Sequence, residues 1–427
     1  MESIRSIIGY LLVLYAWQIP LLAFDTAHFY RATPFLPFLY EPRLARSWLN
    51  SFDGIILAGS NAHAQNGDGK PVCLLSVYGP AQFMQLGAPI DTLKQSEPFD
   101  RLLAQLTTRS ACQQTGIGFL DLSAKSKILE THLAYTQNFS HGVFFQVHIP
   151  IHTIELTRVQ YDIPFIEDWH YHDDTPTLWR TFAQHFLPIM KHWGLSVDGY
   201  RKTGLGDITL ALGVTRNNDE TSYFDFIDAT AKVGILLPTG RSVHVDQVFD
   251  IALGYNGHTG VVIAGSAALG MFEWLSFGIY GQLLLLAHRE QMLRIKTHPC
   301  QSGFIHLACE SVRIKPGLVA QLTIYVKADH VLRGLSTLFG YSFALQRDSH
   351  VKRRDSHARA CCIGDDERFK QWRSHTLHAM AEYDFATDPL RPSATLGFYC
   401  NITVTGKRIF NTNTGGMGGG IKIGWQW

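Results

Sequence analysis

The sequence predicts an all-β fold: a transmembrane antiparallel β-barrel of about 14 strands, within a range of roughly 12–16. Three observations predict it: the pattern of the carboxyl end, the long alternating segments before it, and an export-like amino terminus. At the carboxyl end, apolar or aromatic side chains alternate with other residues at Ile421, Ile423, Trp425 and Trp427. The final strand of an outer-membrane barrel has an apolar outer face of this kind.

Segments of roughly ten residues with period-two alternation recur along the chain, separated by Gly, Asn, Asp and Pro. They lie near residues 52–60, 116–123, 128–139, 142–158, 206–216, 227–237, 247–255, 259–272, 275–283, 303–315, 318–327, 332–346, 376–385 and 395–404. Strands of soluble sandwiches average about five or six residues. The length of these segments therefore favours a barrel, although a secreted all-β protein remains an alternative.

The amino terminus resembles a secretory signal, which we expect over residues 1–23. Arg5 gives a positive start, and an apolar stretch follows from Ile7 to Tyr15. An uncleaved anchor remains the alternative. Residues 24–48 form an amino-terminal segment that could act as a plug, and residues 49–427 form the expected barrel. No later segment approaches 18 uninterrupted apolar residues, so a bundle of transmembrane helices is excluded.

Two stretches interrupt the strand pattern. Residues 177–193 have apolar groups at helical spacing, broken by Pro188, which predicts a short helix or plug at the barrel rim. Residues 347–373 are rich in charge and predict a long solvated loop. Long loops of outer-membrane barrels lie on the extracellular side.

The composition argues against several function classes. The chain carries 37 basic and 36 acidic residues, so no nucleic-acid partner is expected. Neither a G-x-S-x-G motif nor a metal-ligand spacing is present, so we expect no enzyme, cofactor or metal site. His170 and His172 are interpreted as part of a polar loop. The glycines at 415–420 are interpreted as a turn before the final strand, because a phosphate loop would need a following helix.

The faces assigned inward supply candidates for the lining of a lumen. They are Gln146, His148, His152, Lys232, Gln321, Tyr325, Lys327, His378 and Glu382. Their mixed charge argues against a strongly charge-selective pore. Near Pro150 the apolar positions change from odd to even, and a β-bulge inverts alternation in this way. Pro150 is therefore either the site of a bulge that adjusts barrel curvature or a kink that opens a lateral gap.

One pair of segments resembles a known family. The segment 200–210, with its Gly204-Leu205-Gly206-Asp207 turn, precedes a strand and Pro238-Thr239-Gly240. This resembles a hairpin of outer-membrane transporters for long-chain fatty acids and aromatic hydrocarbons. The resemblance implies a 14-stranded barrel closed by an amino-terminal hatch, with a kinked strand as lateral exit. Residues 24–48 lack that family's Asn-Pro-Ala motif, so hatch and ligand residues are not carried over.

Together these features predict a bacterial outer-membrane protein for passive uptake of small, hydrophobic molecules. Its expected partners are membrane lipid, the outer-membrane assembly machinery that reads the terminal strand, and the cargo. A general diffusion porin and a structural or adhesive barrel without transport remain the alternatives. A plugged lumen with a hydrophobic cavity would favour uptake of hydrophobic cargo, whereas an open hydrated pore would favour the porin.

Overall fold

The computed structural model describes residues 49–79, 81–82, 97–111, 119–163, 175–219, 223–271, 274–296, 301–332, 334–353, 363–385, 392–411 and 413–424. The expected signal segment 1–23, the segment 24–48, His170, His172, Trp425 and Trp427 lie outside these residues.

The described part of the chain forms a closed antiparallel barrel of twelve strands. In chain order they are β1 (Leu49–Asn61), β2 (Phe119–Asn138), β3 (Val143–Asp162), β4 (Ile208–Asp219), β5 (Phe226–Leu237), β6 (Gly260–Met271), β7 (Leu275–Leu286), β8 (Val319–Leu332), β9 (Leu335–Gln346), β10 (Trp372–Asp384), β11 (Ser393–Lys407) and β12 (Thr414–Gly424). Each pairs with its neighbour in sequence, and β1 pairs with both β2 and β12. This last pairing closes the barrel and leaves no open edge.

The two ends of the barrel differ. Short connections at 139–142, 220–225, 272–274, 333–334 and 385–392 lie at the end where β1 begins and β12 ends, here called the turn end. Longer connections at 62–118, 163–207, 238–259, 287–318 and 347–371 lie at the opposite end, together with the short connection 408–413. This is the asymmetry of outer-membrane barrels, in which the long loops are extracellular.

The outward face of the strands is an apolar belt. Its exposed large side chains include Phe52, Ile56, Leu212, Val214, Val233, Ile235, Ile263, Ile279, Leu322, Ile324, Val326, Phe339, Leu377, Phe398, Ile402, Met417, Ile421 and Ile423. The outward direction predicted for the even positions of 318–326 is confirmed at Leu322, Ile324 and Val326, and that predicted for the final strand is confirmed at Ile421 and Ile423. Exposed aromatic side chains collect towards the turn end at Tyr135, Phe139, Tyr223, Trp274, Tyr383 and Phe385. Such aromatic girdles mark a membrane interface. The fold is thus a transmembrane β-barrel.

The longer connections fold together into a cap over the loop end. It contains α1 (Pro98–Ala111), α2 (Thr175–Gln184), α3 (Phe186–His192) and accessory strands at Ala81–Gln82, Tyr200–Leu205, Arg289–Arg294, Cys309–Lys315, His350–Arg353, His63–Gln65, Pro71–Cys73 and Ile409–Phe410. Its core includes Trp179, Phe182, Phe186 and Phe249, packed in one cluster with Leu156 of β3. None of the helices in the described residues is long and apolar enough to cross a bilayer.

The helical segment predicted at 177–193 is confirmed as α2 and α3, which meet at His185. The interruption predicted at Pro188 is the break between the two helices: Pro188 has no N–H to donate to the carbonyl of Gln184, the last residue of α2, and it is tolerated in the first turn of α3. Both helices pack their apolar faces into the cap core, which explains the helical spacing of the apolar residues.

Three sequence-based expectations need correction. The segment 247–255 is not a strand, 303–315 supplies only a cap strand, and residues 119–123 and 128–138 belong to a single strand, so the barrel has twelve strands, the lower end of the expected range of 12–16. The charged stretch 347–373 is not simply a solvated loop, because Ile363 and Phe369 are buried in the cap and Trp372 begins β10. The glycines at 415–420 lie inside β12, not in a turn.

Candidate functional site

All nine predicted lumen residues lie on the inward face of the barrel. Gln146, His148, His152, Lys232, Tyr325 and His378 are buried, and Gln321, Lys327 and Glu382 are half-buried. Their outward neighbours along each strand, such as Leu322, Ile324 and Leu377, are exposed. The alternation of the strands therefore places these polar groups inside and the apolar groups outside.

Two of the predicted residues belong to a cluster on β2 and β3. His132 Nδ1 lies 3.2 Å from His148 Nε2, and the two rings are stacked. Glu130 Oε2 lies 3.5 Å from His132 Nε2, and Glu130 Oε1 lies 3.4 Å from His152 Nδ1. These four residues form the histidine cluster. The Glu130 carboxylate thus lies beside two imidazoles, and the third, His148, stacks on His132, in a buried part of the inward face where electrostatic interactions are strong.

Lys232 is the cationic neighbour on β5. Its Nζ donates to Gln146 Oε1 at 3.2 Å and lies 5.7 Å from the centre of the Tyr280 ring. Gln146 in turn donates from Nε2 to Thr136 Oγ1 at 3.2 Å. The amide and the ring hold the ammonium towards the middle of the inward face, and a cation–π contact stabilises this position.

A second polar group covers β8 to β12. His378 Nε2 lies 2.7 Å from Ser342 Oγ, and His378 Nδ1 lies 2.7 Å from Asn401 Oδ1. Ser342 also contacts Thr323 Oγ1, which accepts from Gln321 Nε2 at 3.1 Å. His378 and Gln321 are therefore brought into one network of neutral hydroxyls and amides.

The remaining candidates lie towards the turn end. The Tyr399 hydroxyl donates to Glu382 Oε2 at 3.3 Å, and Lys327 Nζ pairs with Asp329 Oδ1 at 2.8 Å. Tyr325 belongs to a buried apolar cluster with Tyr399 and Met380. The charges of this region are mixed, as the sequence predicted for the inward face.

Sequence reasoning missed Glu130, His132, Ser342 and Asn401. Glu130 and His132 lie at alternate positions of β2. Only the pairing register of β2 with β3 would have placed them beside the histidines of β3, because it sets Glu130 opposite His152 and His132 opposite Pro150. Alternate polar residues on one strand do not reveal which strand they face until the turn between β2 and β3 fixes that register.

The change of face expected near Pro150 is wrong. Even positions point inward without interruption from Phe144 to Leu156, and β2 pairs with β3 in one register across Pro150. The irregularity lies in the other neighbour, where one extra residue at Gly206-Asp207 separates the strand Tyr200–Leu205 from β4. The apolar positions become even because the inward face itself turns apolar where Ile154 and Leu156 meet the cap core. The change of face that suggested a lateral opening at Pro150 is therefore absent.

The described residues contain no group of three or more His, Cys, Asp or Glu side chains placed to hold a metal ion. The histidine cluster is arranged as hydrogen-bonding pairs. Its donors and acceptors suit water, protons or a polar solute.

The fold and the inward face define a capped transmembrane β-barrel with a polar interior. No protein-family profile matches the sequence, and no curated protein matches it. Among solved structures, the chain is similar to an outer membrane channel from Pseudomonas putida F1, with 9% identity, 91% of this chain and 98% of that chain covered, and a TM-score of 0.49. It is also similar to the Pseudomonas putida toluene transporter TodX, with 9% identity, 95% and 96% coverage, and a TM-score of 0.31. A Pseudomonas aeruginosa FadL homologue has 8% identity, 96% and 99% coverage, and a TM-score of 0.27. At such values function has to be argued from this chain's own residues.

Proposed function

We propose that this protein is a channel of the bacterial outer membrane that admits small molecules passively, hydrophobic ones among them. The observation that carries the proposal is the contrast between the two faces of one closed barrel. The outward face is an apolar belt, and the inward face carries linked polar groups on β2, β3, β5 and β8 to β12. A polar interior is suited to the passage of solutes, whereas a barrel with a purely structural role needs none.

The cap favours a selective channel over a general diffusion porin. Its core joins residues from the connections 62–118, 163–207, 238–259 and 287–318 with the loop-end parts of β2 and β3. A folded cap over the loop end restricts which solutes enter the barrel. The apolar side chains of the cap are compatible with hydrophobic or amphiphilic cargo.

Two measurements test the proposal on the refolded full chain and in cells. Planar-bilayer conductance, with and without a long-chain fatty acid, reports an open aqueous pore. Uptake of the fluorescent probe N-phenylnaphthylamine by cells with an intact outer membrane reports passage of a hydrophobic molecule. Heat-modifiable gel mobility confirms in both cases that the barrel is folded.

The proposal expects faster probe uptake than in cells without the protein, together with small or rare conductance steps. Large stable steps with no gain in probe uptake would favour the general porin. A folded barrel that changes neither quantity would contradict transport and favour a structural or adhesive role.

A further inference from the structure

We propose that the cap holds a binding site for a small amphiphilic carboxylate, separate from the inward face of the barrel. The site is a cavity of about 210 Å³ between the connection 238–259 and the strand Arg289–Arg294, and Phe304, His306 and Arg368 also line it. Binding there is measured without transport, so the inference stands or falls independently of the channel function.

The lining of the cavity has an apolar part and a polar part. Seven of its sixteen residues are apolar: Leu195, Val243, Val245, Val248, Met292, Leu293 and Phe304. An apolar cavity of about 150 Å³ is large enough to bind benzene. The volume of about 210 Å³ therefore accommodates one ring, or a short alkyl chain, with a carboxylate attached.

The charge of the lining selects an anion. Among the described residues that line the cavity, three are arginines, Arg289, Arg294 and Arg368, and none is Asp or Glu. Two of these cations are already engaged. Arg294 donates to Leu307 O at 2.6 Å and to Asp246 Oδ1 at 3.2 Å, and Arg368 pairs with Asp366 Oδ2 at 2.7 Å.

Arg289 differs from the other two because its recorded partners are neutral. Its Nη1 donates to Ser242 Oγ at 3.0 Å and to Asn256 O at 2.7 Å. These bonds fix the guanidinium from one side. Within the described residues, its Nε and Nη2 have no hydrogen-bond partner. These two groups form the edge of a guanidinium that binds a carboxylate with two parallel hydrogen bonds.

His306 supplies a second, independent feature of the same cavity. Its side chain is buried, its Nε2 donates to Gly303 O at 3.1 Å, and its Nδ1 has no hydrogen-bond partner. Burial, followed by the nearby Arg368, lowers the pKa of His306 to about 4, so the ring is neutral at pH 7. A neutral ring that donates from Nε2 presents an acceptor at Nδ1, and a buried acceptor without a donor is costly. A hydroxyl group on the ligand would satisfy it.

The experiment is a calorimetric titration of the detergent-solubilised full chain with benzoate and with benzamide, its neutral analogue. We expect saturable binding of benzoate and affinity for benzamide lower by about tenfold or more, since the charge-assisted bonds are lost. The variant Arg289→Gln should weaken benzoate binding by a similar factor, and Arg180→Gln, at an exposed position on α2 outside the cavity, should leave it unchanged.

Arg289→Gln also removes bonds to the backbone of the cap, so the benzoate and benzamide pair tests the inference in the unaltered protein. Equal affinities for the two compounds, or no saturable binding of benzoate, would overturn the site. Hydroxybenzoates substituted at positions 3 or 4 should bind more tightly than benzoate. If neither does, the role assigned to His306 is wrong.

Discussion

Lys202 and Asp250 form an ion pair of 2.9 Å with side chains only 7% and 1% exposed. Lys202 Nζ also donates to Ser242 O at 2.9 Å and to Ile251 O at 3.1 Å. Since the strand Tyr200–Leu205 pairs with β3, this one ammonium ties the wall of the barrel to the cap connection 238–259.

Replacing this cation should loosen the cap while the barrel stays closed. In Lys202→Met, Asp250 would remain buried without its counter-charge, which costs about 3–5 kcal/mol. We expect faster hydrogen exchange and proteolysis in the connection 238–259. The matched control is Lys127→Met, because Lys127 and Glu155 lie 3.8 Å apart with side chains 62% and 31% exposed. Such an exposed pair is worth less than about 1 kcal/mol, so equal effects of the two variants would contradict the argument.

The stability of the cap should fall as the pH is lowered from 6.5 towards 4. The pKa of His306 is lowered from 6.5 to about 4 in the folded cap, chiefly by burial and then by Arg368. Between these two values the unfolded cap binds a proton that the folded cap does not, so stability is lost as the pH falls, by up to about 3 kcal/mol. Arg368 holds the pKa of Asp366 below 3.8, so that carboxyl contributes no loss in this window. Burial likewise lowers the pKa of His258, in the cap connection 238–259, to about 4, so both histidines contribute to the loss. Hydrogen exchange of the cap at pH 7 and pH 4.5 measures the effect, and His306→Gln should remove about half of it.

Reversing the charge of Lys232 should change ion selectivity. Its ammonium is held over the inward face by Gln146 and Tyr280. In Lys232→Glu, the reversal potential across a KCl gradient should move towards cation selectivity, with a permeability ratio altered on the order of several-fold. The control Lys191→Glu makes the same change at an exposed position on α3 in the cap. The same shift in both variants would show that Lys232 does not face the conduction path.

Period-two alternation was enough to predict the outward belt and the inward residues, because lipid and interior impose opposite demands on alternate positions. It failed where the interior stops being polar. At Ile154 and Leu156 the inward face packs against the cap core, so apolar residues occupy the inward positions there and the sequence imitates a bulge at Pro150. The cap depends on contacts between distant connections, such as Lys202 with Asp250, and local sequence patterns do not reveal such contacts.

The extra residue at Gly206-Asp207, and the regular pairing at Pro150, predict contrasting effects of two substitutions. Gly206 N donates to Pro150 O at 2.8 Å, and a Cβ at Gly206 would lie 2.8 Å from the His152 ring and from Leu253 O. Gly206→Val should therefore reduce the yield of folded barrel. Pro150→Ala should have little effect, because β2 and β3 pair continuously there. Gel mobility and probe uptake measure both; a loss of uptake in folded Pro150→Ala alone would restore a role for Pro150 in lateral exit.

The closing strand gives the sharpest pair of substitutions. Gly416 of β12 is opposite Leu57 of β1, and a Cβ at Gly416 would lie 1.8 Å from Ile56 O. At Gly415 the nearest neighbour of such a Cβ is Tyr399 O at 3.8 Å, an ordinary contact. Gly416→Ala should therefore push β1 and β12 apart and prevent closure, whereas Gly415→Ala should fold normally. Heat-modifiable mobility after refolding distinguishes the two. Equal folding of both variants would mean that the first and last strands do not approach as closely as the structure places them, because the same added methyl group would then meet no backbone at either position.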